Sequence, residues 1–129
     1  MAFEFLRSEN SASPIEKEIE ATNGTTYNHG CLVSFDASTG KAVVTSGTTK
    51  PEFVYAGKDI TAKTGDKLAC VVVLPEYEFE TMLSATCAFK AGTKVTTTGE
   101  KATATSASGV FELLTDGGAS GAKVVGRFS

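Results

Sequence analysis

The single histidine of the sequence, His29, stands two positions before Cys31 and invites comparison with a Cys-His nucleophilic pair. Such a pair needs a base within hydrogen-bond reach of the thiol and a third group that orients the base. Residues this close on an extended chain crowd each other or diverge, so the spacing does not predict the pair. We interpret His29 as a surface loop histidine.

Three glutamates, Glu76, Glu78 and Glu80, alternate with other residues along one stretch. Carboxylates two positions apart share one face of a strand, as a calcium site or a glycosidase would require. An exposed acidic stripe is more often solvated or meets a basic partner. We predict that these glutamates form a polar contact face.

Other chemical motifs are missing from the sequence. It has no Cys-x-x-Cys or His-x-x-x-His spacing for a metal, and the glycine-rich stretch 117–123 lacks the spacing of a phosphate-binding loop. We therefore expect no catalytic residue, no metal and no cofactor, and predict that the protein is not an enzyme.

Composition and charge narrow the classes of partner. The chain has 129 residues, 41% of them apolar, which suits one globular domain. Its net charge is -3, and lysine and arginine are scattered, which argues against nucleic acid as a partner. No apolar run approaches the ~20 residues of a membrane helix, and the first residues do not resemble a secretory signal. We expect a chain made in a cytoplasm, with no membrane partner.

The number and spacing of the cysteines are consistent with a cytoplasmic location. Cys31, Cys70 and Cys87 are odd in number, widely spaced and set among apolar neighbours. Cytosolic cysteine behaves as a small hydrophobe, so we predict buried, reduced thiols.

Abundant threonine and valine with regularly spaced glycine indicate short strands joined by tight turns. Strands are predicted over 31–35, 41–45, 53–55, 68–74, 76–82, 94–98, 102–105, 110–114 and 122–128. Within 76–82, Tyr77, Phe79 and Thr81 alternate with the glutamates and are expected to face the core. The spacing predicts an all-β fold, a compact sandwich or small barrel of antiparallel strands.

Two segments near the N-terminus are less clear. Residues 14–21 fit a short helix capped by Ser13 and Glu16, but period-two alternation favours a strand. Residues 1–13 read as an extended arm ahead of a single β domain at 14–129. In the arm, Phe3, Phe5, Leu6 and Arg7 either anchor an extended strand on a neighbouring molecule or fold back onto this domain's own core.

Two halves of the chain share a pattern. Gly30-Cys-Leu-Val-Ser-Phe-Asp, a turn at Gly40 and Lys41-Ala-Val-Val-Thr-Ser correspond to Gly92-Thr-Lys-Val-Thr-Thr-Thr, a turn at Gly99 and Lys101-Ala-Thr-Ala-Thr-Ser. Phe53-Val-Tyr-Ala-Gly57 is matched to Val124-Val-Gly-Arg-Phe128. The pattern indicates two β-hairpin units packed face to face.

These motifs, together with the closing Gly121-Ala-Lys-Val-Val-Gly-Arg-Phe, resemble the small head decoration, or cement, proteins of tailed bacteriophages over roughly residues 30 to 128. The resemblance implies a β protein without catalytic residues that binds the outside of an assembled capsid and clamps neighbouring subunits. It further implies the virion as location, the major capsid protein as partner and a homotrimer as assembly. The alternatives are another phage structural module, of tail, fibre or baseplate, and a small β binding or carrier domain.

Overall fold

A computed structural model describes residues 2–10, 13–45 and 47–129, and these contain strands but no helix. The strands are β1 (Glu4–Ser8), β2 (Glu16–Glu20), β3 (Thr26–Tyr27), β4 (Leu32–Phe35), β5 (Ala42–Val44), β6 (Phe53–Tyr55), β7 (Ile60–Thr61), β8 (Lys67–Val72), β9 (Tyr77–Met82), β10 (Lys94–Val95), β11 (Phe111–Leu113) and β12 (Lys123–Phe128).

The strands form three antiparallel sheets. Sheet A has the order β1-β9-β12-β11-β10, sheet B the order β2-β8-β6-β4-β5, and β3 pairs with β7 in a small third sheet. The predicted all-β sandwich is confirmed.

Two apolar clusters hold these layers together. The larger one lies between the two large sheets, where Val54 and Val71 of sheet B meet Phe79 and Phe111 of sheet A. The other covers the opposite face of sheet B, where the buried Tyr27 of β3 closes the cluster. The central strands β8, β6 and β4 of sheet B therefore contribute side chains to both clusters, one from each face.

Sheet B curls until its two edges meet. Ala21, which follows β2, bridges in parallel to Ala42 at the start of β5. An ion pair of 3.3 Å between Glu20 and Lys41 joins the same two edges, and the Tyr27 hydroxyl donates to the Ala42 carbonyl at 2.6 Å. Closure of this kind removes part of the sheet edge that would otherwise be open to other chains.

Sheet A repeats this arrangement. Leu83, just after β9, bridges in parallel to Ala102, as Ala21 does to Ala42. The two sheets therefore have the same strand order. In that order, β2, β8, β6, β4 and β5 of sheet B correspond to β9, β12, β11, β10 and the Ala102 segment of sheet A. Gly40 and Gly99 both adopt positive φ at equivalent turns. The two halves seen in the sequence are two copies of one strand arrangement.

The structure corrects one part of that pattern. The equivalent of β6 is β11, because each is flanked by the matched neighbours, so residues 53–57 do not correspond to 124–128. The predicted strand at 102–105 is also wrong, because only Ala102 forms bridges, to Leu83 and Thr97.

Two local predictions are confirmed. Residues 16–20 form a strand, β2, rather than a helix, with Ile19 opposite Leu68. In β9, Tyr77, Phe79 and Thr81 are buried.

The N-terminal segment requires a correction. Residues 4–8 do not extend from the domain as an arm but form β1, the edge strand of sheet A, paired with β9. Phe3 is 1% exposed and packs against Phe111 and Phe128 with ring centroids 5.2 and 5.3 Å apart. Burial in the core of the same chain stabilises this segment without a partner. Residues 1, 11 and 12 of the predicted arm lie outside the described residues.

Candidate interaction surfaces

The outer face of sheet A gathers several of the residues singled out in the sequence. A bulge in β1 places Leu6 and Arg7 together opposite Glu78 of β9. Arg7 donates to the Glu78 carboxylate at 2.9 Å and remains largely exposed. Leu6 is 38% exposed and is one of four large apolar side chains at the described surface. An apolar side chain and a guanidinium thus stand side by side on an open, charged sheet.

The acidic residues of this face are arranged unevenly. Glu80 lies directly opposite Glu4, and like charges at such a position destabilise a ladder. Glu80 has no ion pair within the described part of the chain. Glu76 lies apart from Glu78 and Glu80, in a cleft of about 450 Å³ at the end of the sheet. The predicted three-residue stripe is therefore a half-buried pair on the face with a third member at its margin.

Arginine side chains neutralise part of this charge. Arg127 of β12 donates to Glu112 and to Glu9, each at 2.7 Å. The hydrogen bond and the charge of Glu112 raise the pKa of Arg127 further above its already high value. Arg127 and Glu112 carry no local signal in the sequence, because only the pairing of β12 with β11 brings them together.

Two of the four predicted anchors do not belong to this face. Phe3 is in the core, and Phe5 packs edge-on against Tyr77 and Phe79 at 5.1 and 6.0 Å. Only Leu6 and Arg7 remain available to another molecule.

His29 fastens β1 to the rest of the domain. Its Nδ1 lies 2.8 Å from the Gly57 carbonyl and its Nε2 lies 2.7 Å from the Glu4 carboxylate. Its backbone N–H donates to Asp59 at 2.7 Å. The Gly57 carbonyl, followed by the Glu4 carboxylate, raises the pKa of His29, because both favour the protonated ring. His29 is a turn residue at the surface with a structural role in this geometry.

We expect this histidine to make stability depend on pH. A raised pKa in the folded state means that the contribution is fully present below the ordinary value of 6.5 and is lost as pH rises through the folded-state pKa. With both side chains more than 40% exposed, the pair is worth only about 0.5 kcal/mol. In urea denaturation, wild type should exceed His29→Gln in stability at pH 5.5 and lose that margin at pH 8.5. A margin that is constant with pH would contradict this role.

A second surface, for which the sequence pattern gives no signal, lies at one end of sheet B. We call it the Phe35 groove; it has a volume of about 460 Å³. Its lining residues are Lys17, Phe35, Lys50, Pro51, Glu52, Phe53, Val72 and Val73. Phe35 is 43% exposed although it packs edge-on against Phe53 at 5.3 Å. Phe35 is the last residue of β4, directly before the Asp36 turn, so strand alternation alone does not show that its ring stays open to solvent.

Apolar and charged groups alternate around this groove. Ile15 is 51% exposed at its margin, where its carbonyl accepts from the Val72 N–H at 2.8 Å. Neither Lys17 nor Lys50 forms an ion pair with the described residues, and the Glu52 carboxylate accepts only a 3.4 Å hydrogen bond from the Phe35 N–H. The groove thus has an apolar floor with unpaired charges of both signs beside it.

The cysteines are buried and unpaired, as predicted. Burial raises the pKa of the Cys31 thiol to about 11 and that of Cys70 to about 12, so both stay protonated at neutral pH. Within residues 2–10, 13–45 and 47–129, no group of three or more histidine, cysteine or acidic side chains is placed to hold a metal.

The described residues include no helix of the length and apolarity that a membrane crossing requires. No protein-family model matches the sequence, and no curated protein is significantly similar to it.

Proposed function

We propose that this protein is a non-enzymatic structural protein of a bacteriophage virion. In this role it binds the outer surface of an assembled capsid, contacts the major capsid protein and stabilises the shell by bridging neighbouring subunits. It is made in the host cytoplasm and ends on the virion as a homotrimer. The resemblance of residues 30–128 to head decoration proteins supports this proposal.

The observation that carries the proposal is the outer face of sheet A. Leu6 and Arg7 are exposed beside Glu78 and Glu80 on strands whose other side is held by a buried aromatic cluster. A rigid sheet loses little conformational entropy when it docks, and arginine is among the residues that most often dominate binding energy. Several copies on one lattice would add avidity to a modest individual contact.

We expect the double variant Leu6→Glu/Arg7→Glu to bind capsids at least tenfold more weakly, a loss of about 1.4 kcal/mol or more. The variant places two further carboxylates on a face that already holds Glu78 and Glu80 and removes its apolar anchor. The measurement is co-sedimentation with expanded capsids purified from the phage whose genome encodes the chain, over a range of protein concentrations.

The matched control is Val44→Glu, because Val44 is 40% exposed on sheet B and should leave capsid binding unchanged. Unchanged binding of the double variant would remove sheet A as the contact face. Failure of the wild-type protein to co-sediment would overturn the proposed function itself. Point variants are needed here because truncation of residues 1–13 would also remove Phe3 from the core.

A further inference from the structure

The Phe35 groove is an open, partly apolar surface of sheet B. Phe35 lines the groove and Ile15 lies at its margin, and both are among the four exposed large apolar side chains of the described residues. Residues of β3 and β7 cover the neighbouring apolar cluster on the same face of sheet B. An aromatic residue that lines a groove and is nearly half exposed is typical of protein interfaces, where aromatic side chains are enriched. A second molecule bound in the groove would therefore bury apolar surface that is exposed to solvent in the single chain.

The charges beside the groove indicate what that molecule is. Lys50 and Glu52 flank the buried Pro51, so unpaired charges of opposite sign stand two positions apart next to Phe35. A surface that carries both signs can bind further copies of itself, because each positive group then faces a negative one on the neighbouring copy. The outer face of sheet A differs, because Arg7 and Arg127 already pair with glutamates of the same chain.

We infer that the Phe35 groove binds a second copy of this chain, with Phe35 side chains in contact and Lys50 of one copy facing Glu52 of the next. The same contact repeats around the three-fold axis of a trimer, because each copy presents both members of the pair to its neighbours. A stable interface of ~800 Å² per partner would use about an eighth of the accessible surface of 6283 Å². This inference extends the proposed function by assigning its self-association surface, and it can be tested without a capsid.

Sedimentation velocity of the isolated full chain from 1 to 100 µM tests the inference. We expect an oligomer for the wild type and, for Phe35→Glu, a monomer or a dissociation constant raised at least tenfold. Circular dichroism should show the same β spectrum for both, and Ile15→Glu serves as a second variant if Phe35→Glu does not fold. The matched control is Leu6→Glu, which places the same charge at an exposed apolar site on the other sheet and should remain oligomeric.

Charge reversal distinguishes self-association from the binding of a different, acidic molecule. Lys50→Glu should weaken the oligomer, and Lys50→Glu/Glu52→Lys should restore it, because the exchanged pair is again complementary between identical copies. A wild type that is monomeric throughout, or a Phe35→Glu variant that stays oligomeric, would overturn the inference. Failure of the double reversal to restore the oligomer would overturn the assigned charge pairing. Loss of capsid binding by Phe35→Glu with a monomeric wild type would assign the groove to the capsid instead.

Discussion

Replacing Phe3 with alanine should cost about 3–5 kcal/mol of unfolding free energy, a large fraction of the 5–15 kcal/mol typical of a domain of this size. The ring is 1% exposed, and it packs at 5.2 and 5.3 Å against Phe111 and Phe128, which also contact each other. Truncation would leave a cavity against the paired strands β11 and β12, whose hydrogen-bonded ladder limits their freedom to collapse. Urea denaturation followed by circular dichroism measures the loss as a lower transition midpoint.

Leu6→Ala is the matched control, because Leu6 is on the same strand but 38% exposed. It should change the unfolding free energy by less than about 1 kcal/mol. Equal and small effects of the two variants would mean that residues 3–8 are an independent arm in solution, as the sequence alone allows.

The second large effect is expected at Gly30, where alanine should cost about 2–4 kcal/mol of unfolding free energy. Gly30 has a φ of +80°, and a Cβ there would lie 2.6 Å from the Phe3 carbonyl oxygen and 2.6 Å from the Ala2 Cβ. The left-handed conformation costs an alanine about 1 kcal/mol, and the overlap adds about 1–3 kcal/mol as the N-terminal backbone is displaced. That displacement also breaks the 3.1 Å hydrogen bond from the Phe3 N–H to the Gly30 carbonyl.

Gly40→Ala isolates the two contributions, because Gly40 has a similar φ of +70° but no atom within 4 Å of the added methyl. It should cost only about 1 kcal/mol. If chemical denaturation showed the same loss of unfolding free energy for both variants, the close approach of Phe3 to Gly30 would not contribute to the cost of the Gly30→Ala substitution.

Much of the fold could be predicted from the sequence because it depends on local pattern. The alternation of Tyr77, Phe79 and Thr81 predicted the buried side of β9, and the glycine turn at Gly40 predicted the hairpin of β4 and β5. Pairing between distant segments has no such local signal. Nothing in residues 1–13 indicates that Phe3 fits between Phe111 and Phe128, and the match of β6 to β11 appears only when the sheet order is known.

The candidate surfaces were predicted to a similar extent. Alternation correctly placed Glu78 and Glu80 on a solvent-facing side, because the opposite side of β9 is apolar. The exposure of Phe35 was not predictable, since it depends on where β3 and β7 stop covering sheet B rather than on β4 itself. Arg7 and Glu78 are 71 positions apart, and only the register of β1 with β9 brings them together.

The pairing of β1 with β9 has a consequence for biosynthesis. The β1 strand leaves the ribosome well before β9, the strand with which it pairs, and Phe3 leaves it well before Phe111 and Phe128, against which its ring packs. Sheet B is encoded by the stretch in between, so it can form first while Phe3 and Phe5 are still exposed on the nascent chain. Folding of sheet A is therefore complete only after β12 has been synthesised. Chains that are synthesised close together have time to exchange their β1 strands before each strand pairs with β9 of its own chain.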